Sequence, residues 1–374
     1  MLILNEAQVR KCLTLELCIQ ANKAALATLL STKGNHEKDS SSSFVPSSLP
    51  SNAVIPTRIG LPRTIHESST SSQTQLPEDT TLFKPAAYYS TDNASSTLMG
   101  MKVISIRAKN PSIGKPTATA TMTMLNAETG EVTSVLNATY LTAARTAAGS
   151  AISTQLCLEQ KQLLHGQKDK HLVLFGAGIQ AEMHIRLIQY ILPNEIYKVT
   201  IVNRSLGRAD NLKKTLEVEH PDVEYNVLNL DQQDRIHEIV ATADVIATAT
   251  NTEFPLFDWS HVNSNCHICG VGSYLDSSEE VSSTFVRDRC YTLSDTLDAL
   301  NVGDLKLLEG NSEHYLGLLG DFLQNRISLD REKILQEKKC TFYKSTGTAI
   351  QDIFTADAVI QNAMKLGLGT NVDM

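Results

Sequence analysis

The chain has 374 residues, 42% hydrophobic and 20% charged, with a formal net charge of −8. That length suggests two domains with a core each, and the balance of residues is that of an ordinary globular protein. The acidic surplus excludes nucleic acid or an anionic membrane as the main partner, because both need a basic surface.

No apolar stretch approaches the ~18 residues of a transmembrane helix. The N-terminus, MLILNEAQVRKC, has no basic region ahead of a long apolar core and does not read as a signal peptide. Seven cysteines, odd in number and scattered, point to reduced thiols and a cytoplasmic location.

In chain order, the first thirty residues predict helix. Asn5 can cap a turn with Gln8, and Leu13, Leu17, Ala21, Ala24 and Ala25 fall at helical spacing. Two tracts near 35–53 and 64–81 are crowded with Ser, Thr and Pro. They cannot bury enough apolar surface to offset chain entropy and read as mobile loop insertions. Between them Val54–Arg58 is a short strand-like island. From Leu98 the pattern turns to β, with MGMKVISIRA and TATATMTMLNAETGEVTSVLN as strands and Glu128-Thr129-Gly130 as a hairpin turn. The Ala/Thr-rich stretch from Thr142 to Leu158 is helical.

Strands then alternate with helices as in doubly wound folds, at 171–175, 198–203, 223–229, 244–249, 266–271 and 289–293. The most informative stretch is HLVLFGAGIQA, residues 171–181. A short apolar run of this kind is a buried parallel strand. Gly176 and Gly178 let the backbone turn tightly against a ligand, and a helix from Ile179 aims free N–H groups at an anion such as a pyrophosphate. The pattern is G-x-G-x-x-E, with Ala181 one position ahead of the usual third small residue. At the end of the second strand a dinucleotide fold expects Asp or Glu for the ribose 2′-OH. Here the residues are Asn203-Arg204-Ser205. Arg204 can pair with a 2′-phosphate that a carboxylate would repel, a contact of ~1.5–3 kcal/mol. This favours NADPH over NADH, against the alternative that Arg204 only ends a strand in solvent. Cys266-His267-Ile268-Cys269 has metal-like spacing, but it lies in an apolar run without a second ligand pair and reads as an interior strand; no metal is expected.

Three cations stand apart from ordinary surface charge: Arg58 after a buried-looking strand, Lys102 inside an apolar run, and Arg145 among small residues. Burial makes an unpaired cation costly, so each needs an anionic partner. For each alone, salt bridge and substrate contact are both open; together they point to a small carboxylate. The last residues, from Cys340, combine a strand (CTFYKS) with a helix over Ala349–Leu366 that can return to the first domain.

These motifs resemble the ornithine cyclodeaminase/mu-crystallin family over most of the chain outside the Ser-rich tracts. The resemblance rests on Met101-Lys102-Val103, Thr129-Gly130, Leu141-Thr142-x-x-Arg145-Thr146-Ala147-Ala148 and Gly176-Ala177-Gly178-x-Gln180-Ala181. It rests also on Ala249-Thr250, Gly270-Val271-Gly272 with Glu280 beyond, and Tyr343-Lys344-Ser345-x-Gly347-x-Ala349-x-x-Asp352. It implies an α/β fold in which a Rossmann-type doubly wound parallel sheet is inserted into a discontinuous α+β substrate and dimerisation domain. The expected boundaries are 1–150 for that domain, 151–335 for the NAD(P)-binding domain, and 336–374 for the returning segment. A homodimer is implied.

The resemblance further implies that Arg58, Lys102 and Arg145 are the carboxylate-binding and catalytic cations. Gly176, Gly178, Gln180 and Ala181 would cradle the pyrophosphate, and Asn203, Arg204 and Ser205 would hold the 2′-phosphate. Thr146 joins the cofactor contacts, Thr250 and Val271 flank the ribose and nicotinamide, and Ser345 closes over the ring. Cyclodeaminases carry an aspartate shortly after the glycines ending the fifth Rossmann strand. Here alignment puts Tyr274 in that place and Asp276 two residues late. A phenol with a pKa near ~10 is a poor base at neutral pH. The chain is similar in this to the mu-crystallin branch, associated with NADPH-dependent ketimine reduction. The expected activity is reduction of the C=N bond of a small cyclic imino acid. Cyclodeamination, amino-acid dehydrogenation and a non-catalytic NADPH-binding role are the alternatives.

Overall fold

The computed structural model describes residues 1–30, 53–62, 79–90, 97–273, 277–308, 313–337 and 339–373. The chain divides into two units, Met1–Thr142 with Thr348–Met374, and Ala143–Gly347. The two Ser-rich tracts fall almost wholly outside the described residues, as do Tyr274 and Asp276.

Elements are numbered along the chain. The first unit contains β1 (Leu2–Leu4), α1 (Glu6–Cys12), α2 (Leu15–Ala27), β2 (Ala53–Val54), β3 (Ile59–Pro62), β4 (Thr80–Tyr88), β5 (Leu98–Ile106), β6 (Ala118–Leu125) and β7 (Val132–Asn137). From the chain's end it takes α10 (Ala349–Lys365) and β16 (Thr370–Asn371). Asn5 and Gln8 form the expected capping box on α1, each side chain satisfying the other's backbone N–H. The strands form one sheet in the order β16-β1-β7-β6-β5-β4-β2, with β3 also on β4. Side chains along β4 alternate between more and less buried, as period two requires. Helix α10 packs on α1 and α2 and on β4, β5 and β6.

Several of these elements depart from the sequence reading. The island at 54–58 is not one strand: β2 ends at Val54, which is exposed, and Ile55–Arg58 links it to β3. Strand β4 begins at Thr80, inside the second Ser-rich tract, because nine residues there pair in register with β5. Strand β1 is only three residues long and is held by β7 on one side and β16 on the other.

Helix α3 (Thr139–Gln160) leads from the first unit into the second. The second unit then alternates β8 (Lys170–Phe175), α4 (Ile179–Ile191), β9 (Ile196–Asn203), α5 (Leu206–Glu219), β10 (Glu224–Asn229), α6 (Gln233–Thr242), β11 (Val245–Thr248) and β12 (His267–Gly270). It continues with α7 (Ser283–Arg289), β13 (Cys290–Ser294), β14 (Tyr315–Leu318), α8 (Leu319–Leu323), α9 (Arg331–Glu337) and β15 (Cys340–Lys344). All eight strands pair in parallel, in the order β10-β9-β8-β11-β12-β15-β13-β14. This is a doubly wound sheet whose order reverses between β8 and β11. Val173, Phe175, Ile246, Ile268 and Phe342 from the strands share a core with Ile236 and Val240 of α6 and Phe285 of α7.

The sequence reading assigned Cys340 onward to the returning segment. The structure instead places β15 inside this sheet, between β12 and β13, and the chain re-enters the first unit after Gly347. All five residues of β15 are buried, which a strand covered on both faces requires. Among the described residues no helix is long and apolar enough to cross a membrane.

Candidate functional site

In the second unit, the carboxyl ends of the parallel strands carry the residues that sequence reasoning assigned to a cofactor. Phe175 pairs with Thr248, Thr248 with Gly270, and Gly270 with Lys344, so the turns after β8, β11, β12 and β15 follow one another along one edge. Ligands of open α/β sheets bind at such an edge, where the strand order reverses.

The turn after β8 has the properties expected of a phosphate cradle. Gly176 has φ +119, and a Cβ there would lie 2.6 Å from the Ala249 carbonyl oxygen. Only glycine fits that position. Gly178 is different: a Cβ on it would meet nothing within 4 Å, so the space above it is open. It is the N-cap of α4 and offers no side-chain cap to the helix N–H groups. The Gln180 side-chain oxygen is buried with no hydrogen-bond partner, while its backbone oxygen accepts from His184 Nδ1 at 2.7 Å. Ala181 is fully buried beneath the turn. An open glycine face and an uncapped helix start together fit a dinucleotide pyrophosphate.

At the end of β9, Asn203 Nδ2 donates to the Ser205 carbonyl at 2.9 Å, bending the chain into α5. Ser205 is the N-cap, and its hydroxyl makes no capping bond. Arg204 is exposed and makes no ion pair among the described residues. Arg208, one turn into α5, is exposed as well. Sequence reasoning passed over it, though its spacing of four from Arg204 was a usable signal.

The turns after β11 and β12 are tied together by one buried carboxylate. Glu280 accepts from the Thr248 hydroxyl at 2.9 Å, from the Thr250 N–H at 2.6 Å and hydroxyl at 2.7 Å, and from the Gly272 N–H at 2.5 Å. Burial, reinforced by Asp304, pushes the Glu280 carboxyl above its usual range, against the pull of Lys344 and Thr250. A Cβ on Gly272 would collide with the Thr250 carbonyl. Val271, between them, is half-buried and donates its N–H to the Thr248 carbonyl. Asp304 accepts from the Glu280 and Val281 N–H groups and from Lys344 Nζ at 2.6 Å.

After β15, Asp295 accepts from the Ser345 hydroxyl at 2.9 Å and from the Thr346 and Gly347 N–H groups. Gly347 has φ +73, and a Cβ there would run into the Arg145 guanidinium. Arg145, buried on α3, therefore lies against the Ser345–Gly347 turn, and the next residue, Thr146, is buried as well. Glu280 and Asp352 entered the sequence reading only as motif positions. Asp295 and Asp304 did not enter it, because nothing local marks an acid whose partners lie tens of residues away.

Within the first unit lies a buried charge cluster of its own. Lys102 on β5 is fully buried and donates to Asp352 Oδ1 of α10 at 2.7 Å and to the Thr142 hydroxyl at 3.2 Å. Lys84 on β4, which sequence reasoning missed, lies 4.0 Å from Asp352 Oδ2. It stands opposite Lys102 in the β4–β5 register. Arg58 is half-buried between β2 and β3 and makes no ion pair among the described residues. The Cys266–Cys269 pair sits in and just before β12, both thiols buried, and burial pushes Cys269 up to about 11. That is an inert interior thiol.

A sequence profile of the ornithine cyclodeaminase/mu-crystallin family matches residues 87–366. An uncharacterized cyclodeaminase of Dictyostelium discoideum is 29% identical over 397 residues, covering 100% of both chains. A Delta(1)-pyrroline-2-carboxylate reductase of Colwellia psychrerythraea is 28% identical over 239 residues, 63% of this chain and 70% of that one. Among solved structures, the Thermococcus litoralis Delta(1)-pyrroline-2-carboxylate reductase, in complex with NADH and L-proline, is similar with a TM-score of 0.78. It has 20% identity and 100% coverage of both chains. An archaeal alanine dehydrogenase dimer with bound NAD gives 0.76 at 19% identity, covering 100% of this chain and 99% of that one. At such identities these two speak for the fold.

Proposed function

The chain belongs to the ornithine cyclodeaminase/mu-crystallin family, and on that premise we propose that it reduces the C=N bond of a small cyclic imino acid with NADPH. The observation that carries this reading is the carboxyl edge of the second unit's sheet. There an open Gly178, an uncapped α4 and the exposed Arg204 suit a phosphorylated dinucleotide. The names of the relatives, pyrroline-2-carboxylate reductases among them, support the substrate class.

When bound, a nicotinamide supplies a hydride. The chain's own residues do the rest. Gly176, Gly178, Gln180 and Ala181 bind the pyrophosphate; Asn203, Arg204 and Ser205 bind the 2′-phosphate, with Arg208 as a second cation. Glu280 and Asp295 hold the turns carrying Thr250, Val271 and Ser345 in place, and Thr146 joins the cofactor contacts. Arg58 and Arg145 bind the substrate carboxylate, and Lys102 delivers a proton to the imine nitrogen. An oriented reactant can gain several powers of ten in rate from such positioning. We place the enzyme in the cytoplasm as a homodimer, on family resemblance and on buried cysteines that form no disulfide among the described residues.

The test is NADPH oxidation with five- and six-membered cyclic imino acids, with equal NADH as control and ornithine as a competing substrate. Turnover with NADPH alone supports the reading. Release of ammonia from ornithine in the presence of NAD+ or NADP+, with no net reduction of the cofactor, replaces it with cyclodeamination.

A further inference from the structure

We propose that Lys84 is a positioning residue that sets the proton affinity of Lys102, and with it the pH range of the reaction; this rests on the reading of Lys102 as the proton donor. The two lysines stand directly opposite each other on antiparallel strands, so their side chains share one face of the sheet. Both are buried, Lys84 at 6% exposure and Lys102 at 0%. Both point at one carboxylate, Lys102 at Asp352 Oδ1 and Lys84 at Oδ2.

Like charges opposite each other on a sheet are unfavourable, and burying any charge is costly. Neutralising Asp352 requires only one lysine. The second has a reason in the chemistry. Asp352 alone would hold the Lys102 proton tightly, since a nearby opposite charge favours the charged form. A second cation on the same carboxylate acts in the opposite sense and makes Lys102 a better acid.

The balance of the proton step supports the same assignment. The proton leaves Lys102 Nζ for the imine nitrogen as the imine carbon accepts the hydride, and Lys102 is left as a neutral amine. Without Lys84 that step would take a cation from beside a buried carboxylate and leave none in its place from β4. With Lys84 in place, Asp352 keeps a cationic partner throughout. Among the groups that this unit brings to Lys102 are Asp352 from α10, Lys84 from β4, the Thr142 hydroxyl from α3, and Met122 from β6.

Lys84→Met and Lys84→Arg test this in the full-length protein. The first readout is direct: nitrogen-15 NMR of the lysine side chains across pH, with the Lys102 signal assigned by its loss in Lys102→Arg. The second is the pH profile of kcat for imine reduction. In Lys84→Met the Lys102 midpoint and the alkaline limb of kcat should both rise by at least about one pH unit, a tenfold change in proton affinity. Lys84→Arg, which keeps the charge, should leave both where they are in the parent. Should Lys84→Met fail to fold, Lys84→Gln keeps a donor towards Asp352 without the charge and reads the same shift. A Lys102 midpoint that does not move when the charge is removed overturns the proposal and leaves Lys84 an ordinary ion pair. A midpoint that moves in a protein that turns over no imino acid sinks the proposed reaction and leaves the control of Lys102 by Lys84 standing.

Discussion

Lys102 and Asp352 are 250 positions apart in the chain, yet their charged atoms lie 2.7 Å apart and both side chains are fully buried. Breaking such a pair from one side typically costs about 3–5 kcal/mol, because a buried charge is left behind. The two sides are not equivalent here. Lys102→Met leaves Asp352 with Lys84, whereas Asp352→Ala leaves two buried ammonium groups facing one another. Denaturant unfolding should therefore find Asp352→Ala the less stable of the two. Lys102→Met should lower kcat by about 10²–10⁴, the usual worth of a general acid, while calorimetry finds NADPH affinity within about threefold. Loss of NADPH binding in that variant would remove Lys102 from the proton step.

Arg204 is exposed and without an ion pair among the described residues, so its substitution should cost little stability. Arg204→Ser should weaken NADPH by roughly ten- to a hundredfold, the worth of one charge-assisted contact. NADH affinity should hardly change. Equal losses for both cofactors would show that Arg204 does not read the 2′-phosphate.

Gly176 and Gly178 look alike in the sequence but differ in their surroundings. Gly176→Ala places a Cβ at φ +119 and 2.6 Å from a carbonyl oxygen, and should destabilise by about 1–3 kcal/mol. Gly178→Ala meets no protein atom and should leave the melting temperature within a degree or two, yet weaken the dinucleotide by filling its space. A Gly178→Ala protein with unchanged cofactor affinity would move the pyrophosphate off this turn.

His184 and His171 give the fold a pH dependence. Burial is the main cause in both, lowering each pKa from 6.5 to about 4. Both rings are neutral in the fold and held there by hydrogen bonds, His184 to Ser150 and His171 to Thr200. Below about 6.5 the unfolded chain takes up protons that the fold refuses. Stability is then complete above that pH and falls as the pH drops towards 4. Melting temperatures should decline steeply across that window, and less steeply in His184→Gln. Parallel curves for parent and variant would remove His184 from the cause.

The glycine turn, the Asn5–Gln8 box and the Arg204 strand end were legible because each is local: a short apolar run, a cap or a turn announces itself within ten residues. Strand β15 was legible as a strand but not in its place, since pairing with β12 and β13 depends on residues far from it in sequence. Strand β4 was obscured by the Ser/Thr-rich residues before it, and with it went Lys84. The acids that order the site were the least legible. Glu280 was visible as a motif position, but its role comes from donors on Thr248, Thr250 and Gly272, which only the folded sheet brings together.

The pairing of β1 with β16 has a consequence for how the protein is made. Leu2 and Ile3 line up with Asn371 and Thr370, and the N-terminal amine donates to the Val372 carbonyl. The first unit also takes α10, whose Asp352 receives Lys102. Strand β1 thus cannot complete its sheet until β16, far later in the chain, has been made. The second unit is one uninterrupted stretch of chain and can close while synthesis continues. Removing β16 should therefore leave β1 without a partner on one edge and the sheet of the second unit intact.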